Sequence, residues 1–147
     1  KILPSFLWRD DIFSINCTKN WVMTENELAT IVLDCAFEVH RNLGPGLLES
    51  SYEECLCFEL KQSGLFIEKQ KPLPLIYKDV KLDIGYRLDI LVENKIIIEI
   101  KAVEAFNDVH LAQILTYLKL SDCKLGLLIN FNVALLKSGI RRVVNNL

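Results

Sequence analysis

The feature that most constrains the fold is a run of isoleucines interrupted by two charged residues. Residues 96–101 read I-I-I-E-I-K. A β-branched apolar run of this kind is typical of a strand buried on both faces of a sheet, where charged side chains are rare unless they are paired or bound to a metal ion. Side chains alternate along a strand, so Glu99 and Lys101 leave the same face beside each other. The sequence therefore predicts a charged site within an apolar sheet.

A second strand precedes this run and brings another carboxylate to it. Residues 86–92 have strand character, and a short loop centred on Asn94 would fold them back on the isoleucine run as an antiparallel hairpin. That centre places Asp89 opposite Glu99. Two carboxylates are hard oxygen ligands for a divalent cation, and the Lys101 ammonium would lie beside them. A structural ion pair on the sheet face is the alternative.

Composition indicates one globular domain. The chain has 147 residues, of which 51% are hydrophobic, and a formal net charge of −2. Its Lys and Arg residues are scattered, which gives no support for strong, non-specific binding to a polyanion. The five cysteines lack C-x2-C pairs and zinc-like spacing with the two histidines. We therefore predict a cytoplasmic protein with reduced cysteines and no membrane association.

The first twenty-two residues differ from the remainder. They show no clear period, and their apolar start is interrupted by Arg9, Asp10 and Asp11, which disfavours a transmembrane span or a secretory signal. The single methionine is Met23. We expect residues 1–22 to be an N-terminal extension from an upstream reading frame and residues 23–147 to form a single domain. An ordered N-terminal arm is the alternative.

Two helices are predicted before the first strand. Thr24 and Glu27 form a capping box, and apolar residues then recur at helical spacing to about Asn42. Residues 44–46, Gly-Pro-Gly, end this helix, and a second helix extends over about residues 48–64.

The junction of these helices carries the motif G-x-x-E-x-x-Y, formed by Gly46, Glu49 and Tyr52. Within VHRNLGPGLLESSYEECLCFEL, this motif closely resembles the GxxExxY protein family, a branch of the PD-(D/E)xK nuclease superfamily. The D-x9-E-x-K pattern of the hairpin resembles the core of the same superfamily. The resemblance covers about residues 23–147. It implies an α/β fold with a mixed central β-sheet flanked by helices, as in restriction endonucleases.

The resemblance also implies roles for individual residues. Asp89 and Glu99 would hold Mg2+ or Mn2+, with Glu49 binding the ion directly or through water and the Ile100 carbonyl as a further ligand. Lys101 would help the attacking water. Considered without the resemblance, Glu49 also suits the positive end of its helix dipole.

Other polar residues have competing interpretations. Tyr52 would either hydrogen-bond into the site or pack on the sheet. We interpret His40, near the end of the first helix, as structural in preference to a phosphate contact. Arg87 is either a phosphate contact or a surface residue, as is the small basic patch of Lys137, Arg141 and Arg142.

The region before the hairpin reads as short strands over residues 65–70, 73–77 and 81–84. Pro72 and Pro74 interrupt them and predict an edge position. A turn at residues 78–79 separates the last two of these strands.

The period becomes helical over residues 109–120. The predicted packing stripe comprises Leu111, Ile114, Leu115 and Leu118. Gln113 and Tyr117 form Q-x-x-x-Y on another face. The same pattern marks the helix after E-x-K in RecB-like exonucleases, so the resemblance implies that Gln113 and Tyr117 orient the lysine region and the nucleic-acid backbone. Residues 125–131 then read as a buried strand parallel to the E-x-K strand.

The functional hypothesis is metal-dependent hydrolysis of phosphodiester bonds in nucleic acid, DNA in preference to RNA. The competing hypothesis is a non-catalytic module that binds nucleic acid or protein on the same fold, because fold does not imply function. The acidic balance favours the module, whereas crowded carboxylates are costly to keep without a cation and favour the enzyme. A structural protein with the charges as ion pairs is the third reading.

Overall fold

A computed structural model describes residues 21–147 of the protein. The elements in chain order are α1 Glu25–Leu43, α2 Glu49–Gln62, β1 Ile67–Tyr77, β2 Val80–Val92, β3 Ile96–Lys101, α3 Asp108–Ser121, β4 Leu125–Asn130, a 3-10 helix Leu136–Gly139 and β5 Ile140–Val144. The predicted N-terminal extension, residues 1–22, lies outside the described residues except for its last two, which belong to no helix or strand.

The strands form one mixed sheet in the order β1-β2-β3-β4-β5. Only the β3–β4 pair is parallel among the pairs of this sheet within residues 21–147. Helices α1 and α2 cover one face, where Ile96, Ile98 and Ile100 are buried. Helix α3 covers the other face, where Ile97 and Tyr117 are buried. The predicted fold class, a mixed sheet flanked by helices, is confirmed.

The hairpin of β2 and β3 has the predicted register. Ile90 pairs with Ile98 and Val92 with Ile96, which centres the turn on Asn94. Strand β4 is parallel to β3, as predicted, because α3 connects the end of one to the start of the other. None of the helices within residues 21–147 combines the length and apolar character needed to cross a membrane.

The hairpin of β1 and β2 differs from the prediction. Instead of several short strands, the chain forms two long ones, which are joined by the predicted turn at residues 78–79. Pro72 and Pro74 lie inside β1. They are tolerated because β1 is an edge strand, as predicted, so an N–H that faces outward would have no ladder partner. The pairing shifts register between Leu73 and Leu75, which accommodates this segment without ending the strand.

Candidate functional site

The centre of the site is a pair of carboxylates at the point where β2 and β3 separate. The regular ladder ends at Ile90 and Ile98, and Asp89 and Glu99 are the next residues on the two strands. The Asp89 N–H donates to Glu99 Oε1 at 3.2 Å, and the Ile100 N–H donates to Asp89 Oδ2 at 2.8 Å. The carboxylates therefore accept backbone hydrogen bonds where the ladder ends, which holds both side chains in place.

Burial makes this pair electrostatically unusual. Glu99 is only 3% exposed, and it is one of two buried polar or charged residues among those described. Burial, followed by the neighbouring Asp89 charge, raises the pKa of Glu99 to about 8. Burial also raises the pKa of Asp89, although the Ile100 N–H and Lys101 oppose that change. Without a cation, the pair therefore retains a proton near neutral pH, because two adjacent carboxylates are costly to ionise together.

Lys101 lies beside the pair and is connected to α3. Its Nζ donates to Gln113 Oε1 at 3.4 Å, and Gln113 Nε2 donates to the Tyr117 hydroxyl at 2.8 Å. Burial raises the pKa of Tyr117, and the charges of Glu99 and Asp89 add to this effect. The structure thus brings Lys101, Gln113 and Tyr117 together at the carboxylate pair.

The packing face of α3 differs from the predicted stripe. Leu111 is 36% exposed, whereas Tyr117 is 4% exposed and packs with Leu118 against the sheet. The buried face is centred on Ile114 and Leu118, and Tyr117 lies one turn from Ile114 on that side. Tyr117 therefore contributes its ring to the core and its hydroxyl to the site.

Glu49 begins α2 and lies at the same end of the sheet. Its Oε1 accepts a hydrogen bond of 3.2 Å from the N–H of Ala102, directly after β3. Its charge contributes to the raised pKa of Asp89. Within residues 21–147, however, no group of three or more His, Cys, Asp or Glu side chains is arranged so that it could hold a metal ion. Glu49 is thus near the pair but is bonded to the backbone.

Tyr52, the last residue of the G-x-x-E-x-x-Y motif, has a structural environment. It is fully buried and stacks on Phe131, with ring centroids 4.6 Å apart. Its hydroxyl donates to the Gly44 carbonyl at 2.6 Å and accepts from the Leu47 N–H at 3.1 Å. Tyr52 therefore packs in the core and holds the loop that leads to Glu49, which is the second of the two predicted alternatives.

The basic and imidazole groups considered from the sequence lie in structural contacts or at the surface. His40 Nε2 is 2.8 Å from the Val133 carbonyl, in agreement with its structural interpretation. Arg142 donates to Asn26 Oδ1 at 2.5 Å, and Arg141 donates to backbone carbonyls of residues 138 and 140. Arg87 and Lys137 are exposed.

Sequence reasoning missed Gln70, which contacts the carboxylate pair, and Glu53, which contacts Gln70. Gln70 Nε2 donates to Glu53 Oε2 at 2.8 Å and lies 3.4 Å from Asp89 Oδ1. Burial raises the pKa of Glu53. Helical spacing could have identified Glu53, because it follows Glu49 by one turn on the same face of α2. Gln70 has no such signal, because its partners are brought to it only by the fold.

A third missed residue holds the segment that follows Lys101. Asn130 is 2% exposed and lies beside Lys101 in the parallel pairing. Its Oδ1 accepts from the Val103 N–H at 3.1 Å, and its Nδ2 donates to the Val103 carbonyl at 2.8 Å. A polar residue at the end of the apolar run L-G-L-L-I-N was the available signal. Asn130 therefore anchors the chain as it leaves the site.

The donor atoms at the centre suit a hard divalent cation. Asp89 and Glu99 offer carboxylate oxygens, which Mg2+ and Mn2+ prefer. Their crowding in a buried position is relieved when a cation replaces the retained proton. The residues present at the centre thus fit a magnesium or manganese ion, with Glu49 nearby.

Comparison with known protein families gives a match over most of the described residues. A family model described as the PD-(D/E)XK nuclease superfamily matches residues 26–143, a span that includes both helices α2 and α3 and the whole carboxylate hairpin. No curated protein and no solved structure matches the chain.

Proposed function

We propose, from the premise that the chain belongs to the PD-(D/E)XK nuclease superfamily, that it hydrolyses phosphodiester bonds of nucleic acid with Mg2+ or Mn2+. The observation that carries this proposal is the buried pair of Asp89 and Glu99 with Lys101 beside it. DNA is the proposed substrate in preference to RNA. Within the superfamily, Gly46, Glu49 and Tyr52 support assignment to the GxxExxY branch.

The proposed ion-binding residues are Asp89, Glu99 and Glu49, with the carbonyl of Ile100. When bound, the ion supplies Lewis acidity that polarises the scissile phosphate and lowers the pKa of a bound water. Glu99 must release its proton before it can act as a ligand, so ion binding is coupled to pH. To join the carboxylate pair, Glu49 would have to exchange its hydrogen bond from the Ala102 N–H for the ion or one of its waters.

Lys101 has two proposed roles at the reacting phosphate. Its ammonium positions the attacking water, and its charge stabilises the negative charge that develops on the phosphate oxygens. Gln113 Oε1 orients the ammonium, and the hydroxyl of Tyr117 fixes which way the Gln113 amide points. This chain of contacts supports a preorganised lysine.

The test is cleavage of labelled single- and double-stranded DNA and RNA in Mg2+ or Mn2+. We expect the wild-type protein to cleave, and we expect EDTA or Glu99→Ala to abolish cleavage because each removes part of the ion site. Glu104→Ala is the matched control, since Glu104 is exposed and close in sequence to the site. Cleavage by Glu99→Ala at the wild-type rate would overturn the assignment.

A second candidate is a non-catalytic module that binds nucleic acid or protein. It is favoured by the bond between Glu49 and Ala102, which leaves only two carboxylates at the centre. Calorimetric titration with Mn2+ separates the candidates. Binding that is lost in Glu99→Ala supports the enzyme, whereas a protein that binds no Mn2+ and cleaves no substrate supports the module.

We propose a reducing, cytoplasmic location. Four cysteines within the described residues have free thiols: Cys35, Cys55, Cys57 and Cys123. Burial raises the pKa of Cys57 to about 11, which keeps that thiol protonated and unreactive. Buried, unpaired thiols of this kind are usual in proteins of reducing compartments.

A further inference from the structure

A single amide side chain lies between two carboxylates at the edge of the site. Gln70 Nε2 is 2.8 Å from Glu53 Oε2 on α2 and 3.4 Å from Asp89 Oδ1 on β2. A glutamine NH2 group carries two N–H donors, so it can serve one carboxylate with each. Asp89 Oδ2 already accepts from the Ile100 N–H at 2.8 Å. Both oxygens of Asp89 are therefore held by donors from neighbouring strands.

The backbone of Gln70 is strained at this position. Its φ is 51°, although Gln70 lies inside strand β1. A left-handed conformation is uncommon for a residue other than glycine and is energetically unfavourable. On either side, Lys69 pairs with Ile90 and Lys71 pairs with Leu88, so the pairing keeps its register past Gln70, which lies opposite Asp89. Backbone strain of this kind inside a strand clusters at functional sites.

Glu53 completes the arrangement. It is half-buried on α2, and its contact with Gln70 is the shorter of the two. Because Glu53 accepts one N–H, it determines which way the Gln70 amide points, and the second N–H is then directed at Asp89.

We propose that Gln70, oriented by Glu53, is a positioning residue that sets the Asp89 carboxylate for ion binding. This inference rests on the proposed function, because it takes Asp89 as a ligand. Residues that orient metal ligands typically change metal affinity or activity about 10–100-fold when they are replaced. Gln70 and Glu53 act through Asp89 and do not themselves need to contact the ion.

The test is Mn2+ affinity by titration calorimetry, with cleavage measured in parallel. Gln70→Gly removes the amide and adopts the positive φ without strain, so it should be at least as stable as the wild type while binding Mn2+ about 10–100-fold more weakly. Glu53→Ala should weaken binding similarly. Glu53→Gln should stay near the wild-type affinity, because its carbonyl oxygen still accepts from Gln70. The matched control is Gln62→Gly at the exposed end of α2, which should not change affinity.

The outcomes separate this inference from the proposed function. Unchanged Mn2+ affinity in Gln70→Gly would overturn the positioning role, even if the wild-type protein cleaves nucleic acid. Loss of affinity in Glu53→Gln equal to that in Glu53→Ala would also overturn it, because Glu53 would then be a ligand. If Gln70→Gly weakens Mn2+ binding but the wild-type protein cleaves no substrate, the positioning role is supported and the proposed nuclease activity is contradicted. A wild-type protein that binds no Mn2+ overturns both.

Discussion

Glu99→Gln should make the metal-free protein more stable at alkaline pH while removing its activity. The wild-type carboxyl is buried beside Asp89, and its pKa is raised from 4.5 to about 8. Because the folded-state pKa is the higher one, the protonated carboxyl contributes stability that is complete below pH 4.5 and is lost as the pH rises to about 8. Glutamine keeps an oxygen for the Asp89 N–H and never ionises, so the variant lacks this loss.

The size of the effect follows from the change in pKa. At about 1.4 kcal/mol for each pKa unit, the rise from 4.5 to about 8 corresponds to about 5 kcal/mol. This is comparable to the lower end of the total stability of an ordinary domain, about 5–15 kcal/mol. The wild-type free energy of unfolding should therefore fall by several kcal/mol from acidic to alkaline pH, and the variant should be the more stable protein at pH 9.

Urea unfolding in EDTA at pH 5, 7 and 9 measures this difference directly. The control is Glu104→Gln, which removes an exposed carboxylate and should follow the wild type at every pH. The reasoning is refuted if wild type and Glu99→Gln show the same dependence on pH. When EDTA is replaced by Mn2+ at 100 times its Kd, the wild type at pH 9 should regain about 2.7 kcal/mol, which is about half of the loss, and the variant should not change.

Three further substitutions test other parts of the structure. Lys101→Ala should lower the single-turnover cleavage rate about 100–1000-fold with little loss of stability, and a wild-type rate would contradict its proposed role. Tyr52→Phe should lower the free energy of unfolding by about 1–3 kcal/mol, because the hydroxyl serves Gly44 and Leu47, and an unchanged urea midpoint would argue against that contact. Gly139→Ala should lower thermal stability by about 3 kcal/mol, since a Cβ would lie 2.2 Å from the Asn130 carbonyl oxygen, and an unchanged melting temperature would exclude this close approach.

The carboxylate hairpin was predictable because it depends on two local features, the alternation of side chains along a strand and a short turn. Alternation along a strand places Glu99 and Lys101 together, and a turn centred on Asn94 sets Asp89 against Glu99. The observed register has that centre. A shift of one residue would have sent Glu99 and Lys101 to the apolar face that α1 and α2 cover, so the two charged residues favour the observed pairing.

The first hairpin was predicted less well because proline has a different effect at an edge than in a central strand. Pro72 and Pro74 predict breaks between strands, yet β1 continues through both. Whether a missing N–H matters depends on the presence of a neighbouring strand on that side, and this is a property of the sheet order. The prolines are visible in the sequence, but the order of the strands in the sheet is not.

The side of α3 that packs against the sheet was also difficult to predict from the sequence. Leu111 and Tyr117 lie on different sides of a helix, and hydrophobicity alone favoured Leu111 for the core. The structure buries Tyr117, because its ring belongs to the buried cluster that includes Leu73 and Leu88 while its hydroxyl accepts from Gln113. A tyrosine can place its apolar ring in the core and its hydroxyl in a polar site when the two lie next to each other. Only the packed structure shows that they do.

The sequence by itself determined the mixed sheet, the flanking helices and the meeting of Asp89 with Glu99, because these depend on periodicity and on a short turn. Only the tertiary structure decided that Glu49 bonds Ala102, that Tyr52 faces the core, and that Gln70 reaches Glu53 and Asp89. Each of those contacts joins different elements of the fold. Such contacts depend on how helices pack on the sheet, so no local pattern along the chain encodes them.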